Sequence, residues 1–271
     1  MNREMQIPDY ASRLKTMKEL SKAARLITLP LFETNIEATT KSDLYFDPVT
    51  PADTACESRL RDIIQDTFPK DSLHGEEFDD VVGSSDWLWT MDPIDGTRAY
   101  IAGVPVWSTL IALSYKAIPI AGLIDFPVQN KCYWGTPERA WVEKSDGSVS
   151  DLSIKSCETL SGAVLGCTEP LAMFNEQELA AYCSIREKIR FSRLGLDSLG
   201  YALIAQGRMD VIIESKMKAC DIRALIPIIE GAGGAVTSWN GEPAINGGQI
   251  IAVGDKRLLP ELYGLLSPAV M

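Results

Sequence analysis

Carboxylates are the side chains of this sequence best placed to do chemistry. The segment Asp92-Pro93-Ile94-Asp95-Gly96-Thr97 sets two of them three residues apart, stiffened by a proline and released by a glycine. A turn there can aim both carboxylates and the Ile94 carbonyl at one point while leaving the Gly96 and Thr97 amides exposed. Oxygen donors of that kind suit a hard cation such as Mg²⁺, and free amides suit a phosphate oxygen. The same residues also read as a solvated Asp-Gly turn closing a strand. Upstream, Gly75-Glu76-Glu77-Phe78 places two acids between a glycine and an aromatic. One can ligate a metal while the other orients a water, or both can belong to a solvated acidic loop running into Asp79-Asp80. Asp221 opens an otherwise apolar helix, where a first-turn acid complements the helix dipole. Asp53 sits three residues after Thr50, in a capping box whose N1 position is Pro51.

Other catalytic chemistries have little material. The single histidine, His74, would have to serve as the base of any Ser-His-Asp triad. It stands two residues before Glu76, and because magnesium favours oxygen it reads as a loop residue. The six cysteines (Cys56, Cys132, Cys157, Cys167, Cys183, Cys220) contain no CxxC pair, which nearly closes the structural-zinc option. They read as small buried apolar groups.

A scaffold of 271 residues must hold these acids in place, enough for two lobes or one large domain. Apolar residues form 46% and charged residues 23%, the profile of a globular chain. Acids outnumber bases 37 to 26, for a formal net charge of −11, which argues against nucleic acid or anionic lipid as partner. No apolar run reaches the roughly 18 residues a membrane span needs, and Met1 to Gln6 lack a signal's apolar core. A cytoplasmic setting is expected.

Periodicity supplies the elements. Tyr10, Leu14, Met17, Leu20, Ala24, Ile27 and Leu31 mark an amphipathic helix with Pro30 kinking or shortening its end. Glu37 to Pro48 reads as an irregular loop, and a second helix runs from Pro51 to Phe68. Strands are predicted at Trp87–Met91, Val106–Tyr115, Ile118–Phe126, Lys131–Trp134 and Ala140–Glu143, an antiparallel meander. Past a Ser145-Asp146-Gly147-Ser148 turn, strands near 163–166, 190–193, 211–214 and 250–253 alternate with helices near 175–188, 198–206, 221–230 and 258–265. The boundary between residues 1–150 and 151–271 falls near 146–155.

In their order, Thr50-x-x-Asp53, Gly75-Glu76-Glu77, Asp92-Pro93-Ile94-Asp95-Gly96-Thr97, and Asp221 before Glu230-Gly231-Ala232-Gly233-Gly234 resemble the inositol monophosphatase superfamily of Mg²⁺-dependent, lithium-sensitive phosphatases. The resemblance covers almost the whole chain. It implies an α/β fold layered α-β-α-β-α, hydrolysis of a small-molecule phosphate monoester, and a homodimer. It further implies that Glu76, Asp92 and the Ile94 carbonyl hold one Mg²⁺, that Asp92, Asp95 and Asp221 hold a second, and that Asp53 with Glu76 supports a weaker third through waters. Mn²⁺ is the alternative metal. Thr97 and Glu77 stand in the family's position to orient the nucleophilic water, and the Gly96 and Thr97 amides to receive a phosphate oxygen at a helix N-terminus. At Ala219-Cys220-Asp221-Ile222-Arg223-Ala224 the chain departs from the family's usual Trp-Asp followed by small residues. Cys220 is expected near the second metal and Arg223 in solvent.

By the same resemblance, the segment Arg193-Leu194-Gly195-Leu196-Asp197-Ser198 and Glu214 line the leaving-group pocket. Asp197 replaces the small residues of inositol-specific members and matches the Gly-Gly-Asp of the histidinol-phosphatase branch. A carboxylate there suits a cationic amine or an imidazole N–H better than a neutral polyol. Histidinol phosphate carries both, so histidinol-phosphatase is the favoured activity. An inositol-1-phosphatase or broad sugar-phosphate phosphatase is the runner-up, and a Mg²⁺-dependent regulatory role is the reading from another class. A plain helix N-cap is the other reading of Asp197.

Overall fold

A computed structural model describes residues 7–41 and 46–270; the opening residues Met1 to Gln6 and part of the loop after Lys41 lie outside the described residues. In chain order the first half forms α1 (Tyr10–Leu31), the short strands β1 (Thr39–Thr40) and β2 (Pro48–Val49), α2 (Pro51–Thr67), β3 (Ser72–Gly75), β4 (Trp87–Asp95) and α3 (Thr97–Ile101). The strands β5 (Ser108–Tyr115), β6 (Ile118–Phe126), β7 (Lys131–Thr136), β8 (Arg139–Lys144) and β9 (Val149–Asp151) follow. The second half forms β10 (Val164–Cys167), α4 (Pro170–Met173), α5 (Glu176–Arg186), β11 (Phe191–Leu194), α6 (Ser198–Ala205) and β12 (Val211–Met217). It closes with α7 (Ala219–Ile222), α8 (Leu225–Gly231), β13 (Ala235–Ser238), β14 (Gly248–Val253) and α9 (Leu259–Leu266).

β3 to β9 form a seven-stranded sheet in sequence order, antiparallel except for the parallel β3–β4 pair. The second sheet has the order β11-β10-β12-β14-β13, parallel across β11, β10 and β12 and antiparallel at β14. Alternation along the strands sets the layers. Ile111 and Leu113 pack with Met17, Leu20 and Ala24 of α1 and with Cys56, Leu60 and Ile64 of α2. Their neighbours Leu110 and Ala112 face the other way, into a core shared with Tyr201 and Ile204 of α6, Ile228 and Ile229 of α8, and Ile212 and Ile250 of the second sheet. The opposite face of that sheet, Val211, Ile213, Ile251 and Val253, packs on Ala181 and Ile185 of α5 and on Leu262 and Leu266 of α9. The order is therefore α, β, α, β, α, with the middle helices buried between two sheets.

Several local expectations change. β4 does not stop at Met91 but runs on through Asp95, because its pairing with β5 shifts between Asp92 and Asp95. That bulge absorbs the N–H that Pro93 lacks, and Thr109 Oγ1 donates to the Pro93 carbonyl at 2.8 Å. The 221–230 helix splits into α7 and α8, since a continuous helix would press the Pro227 ring on the Arg223 carbonyl. His74 lies on β3, with Nδ1 2.7 Å from Asp80 Oδ1, and is not a loop residue. The expected 37–48 loop contains β1 and pairs through it with β2. Four cysteines are buried as expected, but Cys132 is half-buried and Cys183 exposed.

Candidate active site

The bulged end of β4, the start of α3, the end of β12 and the start of α7 surround one cavity of about 460 Å³. Glu76, Asp92, Ile94, Asp95, Gly96, Thr97, Asp197, Glu214 and Asp221 all line it. Gly96 turns the chain out of the strand at a φ of 82°, which an L side chain rarely adopts, and so starts α3 at the cavity edge. Asp92 is buried and accepts from the Ile94 amide at 3.0 Å. Asp95 accepts from the Ser198 amide at the head of α6 at 2.9 Å. Asp221 accepts from the Lys218 amide at 2.7 Å and lies 3.3 Å from the Cys220 thiol, which is buried beside it.

Asp53 and Glu77 stand behind this lining. Asp53 Oδ2 closes the capping box on the Thr50 amide at 2.8 Å, and Oδ1 lies 3.4 Å from the Thr97 hydroxyl. That hydroxyl also sits 3.0 Å from the Ile94 carbonyl, and its one proton can serve only one of the two. Two lysines enter the cluster. Lys41 Nζ is 2.7 Å from Glu77 Oε1 and 3.1 Å from Glu76 Oε1. Lys218 Nζ is 3.0 Å from the same Glu76 oxygen.

Six carboxylates against two ammonium groups leave the site short of positive charge. Burial pushes Asp92 well above the usual carboxylate range, and Glu76, Asp95, Asp221 and Asp53 push it further. Burial and Glu76 carry Asp221 up to about 7. Burial also raises Asp95, against the Ser198 hydrogen bonds, and raises Asp53, against the Thr50 ones. Glu77 rises to about 7 through burial, with Lys41 opposing. Only Glu76 moves down, because Lys218 and Lys41 together outweigh its burial. Among the described residues no three Asp, Glu, His or Cys side chains are already gathered as a finished metal set. Each acid is instead engaged by a neighbouring amide, hydroxyl or ammonium. The donors are oxygen only and demand cationic charge, so their chemistry fits a hard divalent ion such as Mg²⁺.

The model of the inositol monophosphatase family matches residues 4–270. The chain belongs to that family. Its class is that of phosphomonoesterases. This inositol monophosphatase-family chain is 40% identical over 225 residues to the bifunctional phosphatase IMPL2, chloroplastic, of Arabidopsis thaliana, covering 82% of its own length and 63% of that protein. It is 32% identical over 269 residues to the histidinol-phosphatase of Streptomyces coelicolor, covering 96% of its own length and 99% of the relative. The structure of an inositol monophosphatase from Zymomonas mobilis superposes with a TM-score of 0.83 at 32% identity, covering 96% of this chain and 100% of the other.

The family-based expectations for the leaving-group wall meet mixed geometry. Asp197 lines the cavity beside Gly96, and a Cβ added to Gly96 would sit 3.1 Å from its carboxyl. It heads α6 without making a side-chain cap, which removes the plain N-cap reading, and its backbone is held at a φ of 47°. Strain of this kind in a non-glycine residue is kept where the surroundings impose it. Glu214 also lines the cavity, but its oxygens are already taken: Thr168 donates from its amide at 3.0 Å and from its hydroxyl at 2.5 Å, and Tyr201 donates at 2.8 Å. Arg193 does not line the cavity, because β11 is an edge strand and leaves it exposed. Arg223 is not a solvent residue: it is half-buried and donates to the Ile245 carbonyl at 2.9 Å and to Thr90 Oγ1 at 3.2 Å. Sequence reasoning missed Lys41 and Lys218. Nothing local marks either, although Lys218 stands only three residues before Asp221.

Proposed function

We propose that this chain is a Mg²⁺-dependent phosphomonoesterase whose ester carries a cationic alcohol, histidinol phosphate first among such substrates. Asp197 carries the specificity. Burial, Asp95 and Glu214 push its carboxyl up to about 8, with Arg98 opposing only in part. An ammonium or imidazolium placed beside it supplies the missing counter-charge; a neutral polyol does not. Relatives named histidinol-phosphatase support the same reading. Glu214, held by Thr168 and Tyr201, contributes its field and the shape of the wall.

Glu76, Asp92, Asp95, Asp221 and the Ile94 carbonyl would hold two Mg²⁺ ions, with Asp53 helping a third. Bound Mg²⁺ supplies the charge that acidifies a water and stabilises the departing alkoxide. Thr97, its hydroxyl proton directed to the Ile94 carbonyl or Asp53, offers an oxygen that accepts a hydrogen bond from that water and fixes its direction. Glu77, its carboxyl pushed up to about 7 mainly by burial, is the base assigned to receive the water's proton. The Gly96 and Thr97 amides, at the head of α3, receive a phosphate oxygen.

The test is a comparison of kcat/KM with Mg²⁺ for histidinol phosphate, inositol-1-phosphate and fructose-1,6-bisphosphate. Histidinol phosphate should lead, because one charge-assisted hydrogen bond is worth about 1.5–3 kcal/mol, or roughly ten- to a hundredfold. A preference for inositol-1-phosphate would overturn the assignment in favour of the polyol reading.

A further inference from the structure

Helix α2 carries two buried charged residues that the chemistry above does not use. Glu57 is fully buried and Arg61 nearly so, one turn apart, with Arg61 Nε 2.7 Å from Glu57 Oε1. Both turn their remaining groups on one stretch of backbone. Glu57 Oε2 accepts from the Glu77 amide at 2.8 Å. Arg61 donates from its two terminal nitrogens to the Asp79 carbonyl at 2.9 Å and the Phe78 carbonyl at 3.0 Å. Gly75, where this stretch begins, approaches so closely that a Cβ there would sit 2.0 Å from Glu57 Oε1. Two side chains of one helix thus clamp the peptide groups that follow Glu76.

We infer that Glu57 and Arg61 are positioning residues, which hold Glu76 and Glu77 against the cavity; the inference rests on those two acids belonging to the site. The need for a clamp is positional. Glu76 is crowded by Asp92, Asp95, Asp221 and Asp53, and the two lysines that pair with its carboxylate, Lys41 and Lys218, come from other segments and leave its backbone unfixed. The segment from Glu76 to Asp80 belongs to no helix or strand, so no ladder of its own fixes its backbone. Tying it to α2 places Asp53, at the N-terminus of the helix, and the Glu76-Glu77 pair on one rigid body. The residue at 57 must also present two acceptor oxygens, since it accepts at once from a guanidinium and from an amide. A glutamine there would turn an NH₂ toward one of those two donors.

The experiment measures three quantities on the purified full-length chain: Mn²⁺ binding by calorimetry, turnover of a small phosphate ester with Mg²⁺, and thermal unfolding without metal. Glu57→Gln should weaken Mn²⁺ binding and lower kcat by about ten- to a hundredfold each, the usual cost of losing a group that orients a ligand. KM for the ester should stay within about twofold, because the groups that hold the phosphate are untouched. Arg61→Lys keeps the charge and the stem but loses the fork that binds two carbonyls. It should move the same quantities in the same direction, and it carries the test if Glu57→Gln does not fold. The double variant should lose less than the product of the two single losses, since both act through one loop. A parent protein that binds no Mn²⁺ removes the metal site itself and the clamp with it. If the parent binds while both variants bind and turn over as the parent does, the positioning role alone is overturned. Loss of activity that only follows loss of folded protein, with unchanged metal affinity, overturns it as well.

Discussion

Replacing Asp197 by Asn isolates the one acid assigned to the leaving group. Its folded carboxyl lies near 8, against an ordinary value of 3.8. At pH 7 the unfolded chain carries this group ionised, whereas the folded chain must take up a proton. The interval from 3.8 to 7, at about 1.36 kcal/mol per pH unit, sets an upper bound of about 4 kcal/mol against folding. Solvent entering the cavity screens part of this, leaving about 2 kcal/mol. Asn takes up no proton, tolerates a positive φ, and loses no cap, because the Asp197 side chain makes none. The sign follows from the raised folded value: the stability that Asp197 retains below about pH 4 is lost as pH rises through 8. Asp197→Asn should therefore melt about 4–8 °C above the parent at pH 7.5 without divalent cations, and level with it near pH 4. Scanning fluorimetry across that range measures the difference. In the same variant kcat/KM for histidinol phosphate should fall roughly ten- to a hundredfold, with a neutral generic ester hydrolysed as before. A stabilisation of equal size at both pH values, or a loss shared by both esters, would refute the reasoning.

Other perturbations bear on the metal site. Asp92→Asn should lower turnover by roughly a thousandfold or more while raising the metal-free melting temperature, since it removes both a shared ligand and a crowded buried charge; near-normal turnover at saturating Mg²⁺ would show that the site is misplaced. Glu77→Gln should slow turnover yet leave calorimetric Mn²⁺ affinity within about threefold, because Glu77 is assigned to water and not to the metal. Between pH 5 and 8 the metal-free protein should lose stability, as Glu77 and Asp221 near 7 and Asp197 near 8 all bind protons more tightly folded than unfolded. Saturating Mg²⁺ should flatten that slope, since the cation favours the ionised acids. Melting curves with chelator and with Mg²⁺ decide it, and a metal-free protein that gains stability over this window contradicts the charge deficit.

What the sequence determined by itself is local. The capping box at Thr50 and Asp53, the period of α1 and the turn chemistry of Asp92 to Thr97 involve neighbours within one or two turns of chain, and residue order and spacing reveal them. The strand–helix alternation after residue 150 carried the α/β character of the second sheet for the same reason. Tertiary structure decided everything that depends on distant segments meeting. Packing of the two sheets about α6 and α8 brings Lys218 to Glu76 across 142 positions, a pairing with no periodic signal. The edge place of β11 turns Arg193 outward, and the close approach of Gly75 to Glu57 makes α2 a clamp as well as a support. In sequence Asp197 had two readings, a leaving-group residue by family resemblance and a plain helix cap; its raised carboxyl comes from burial first and from Asp95 and Glu214, all of which act only through the fold. Spacing along a chain reports contacts made through local backbone geometry, whereas charge crowding depends on distances through space.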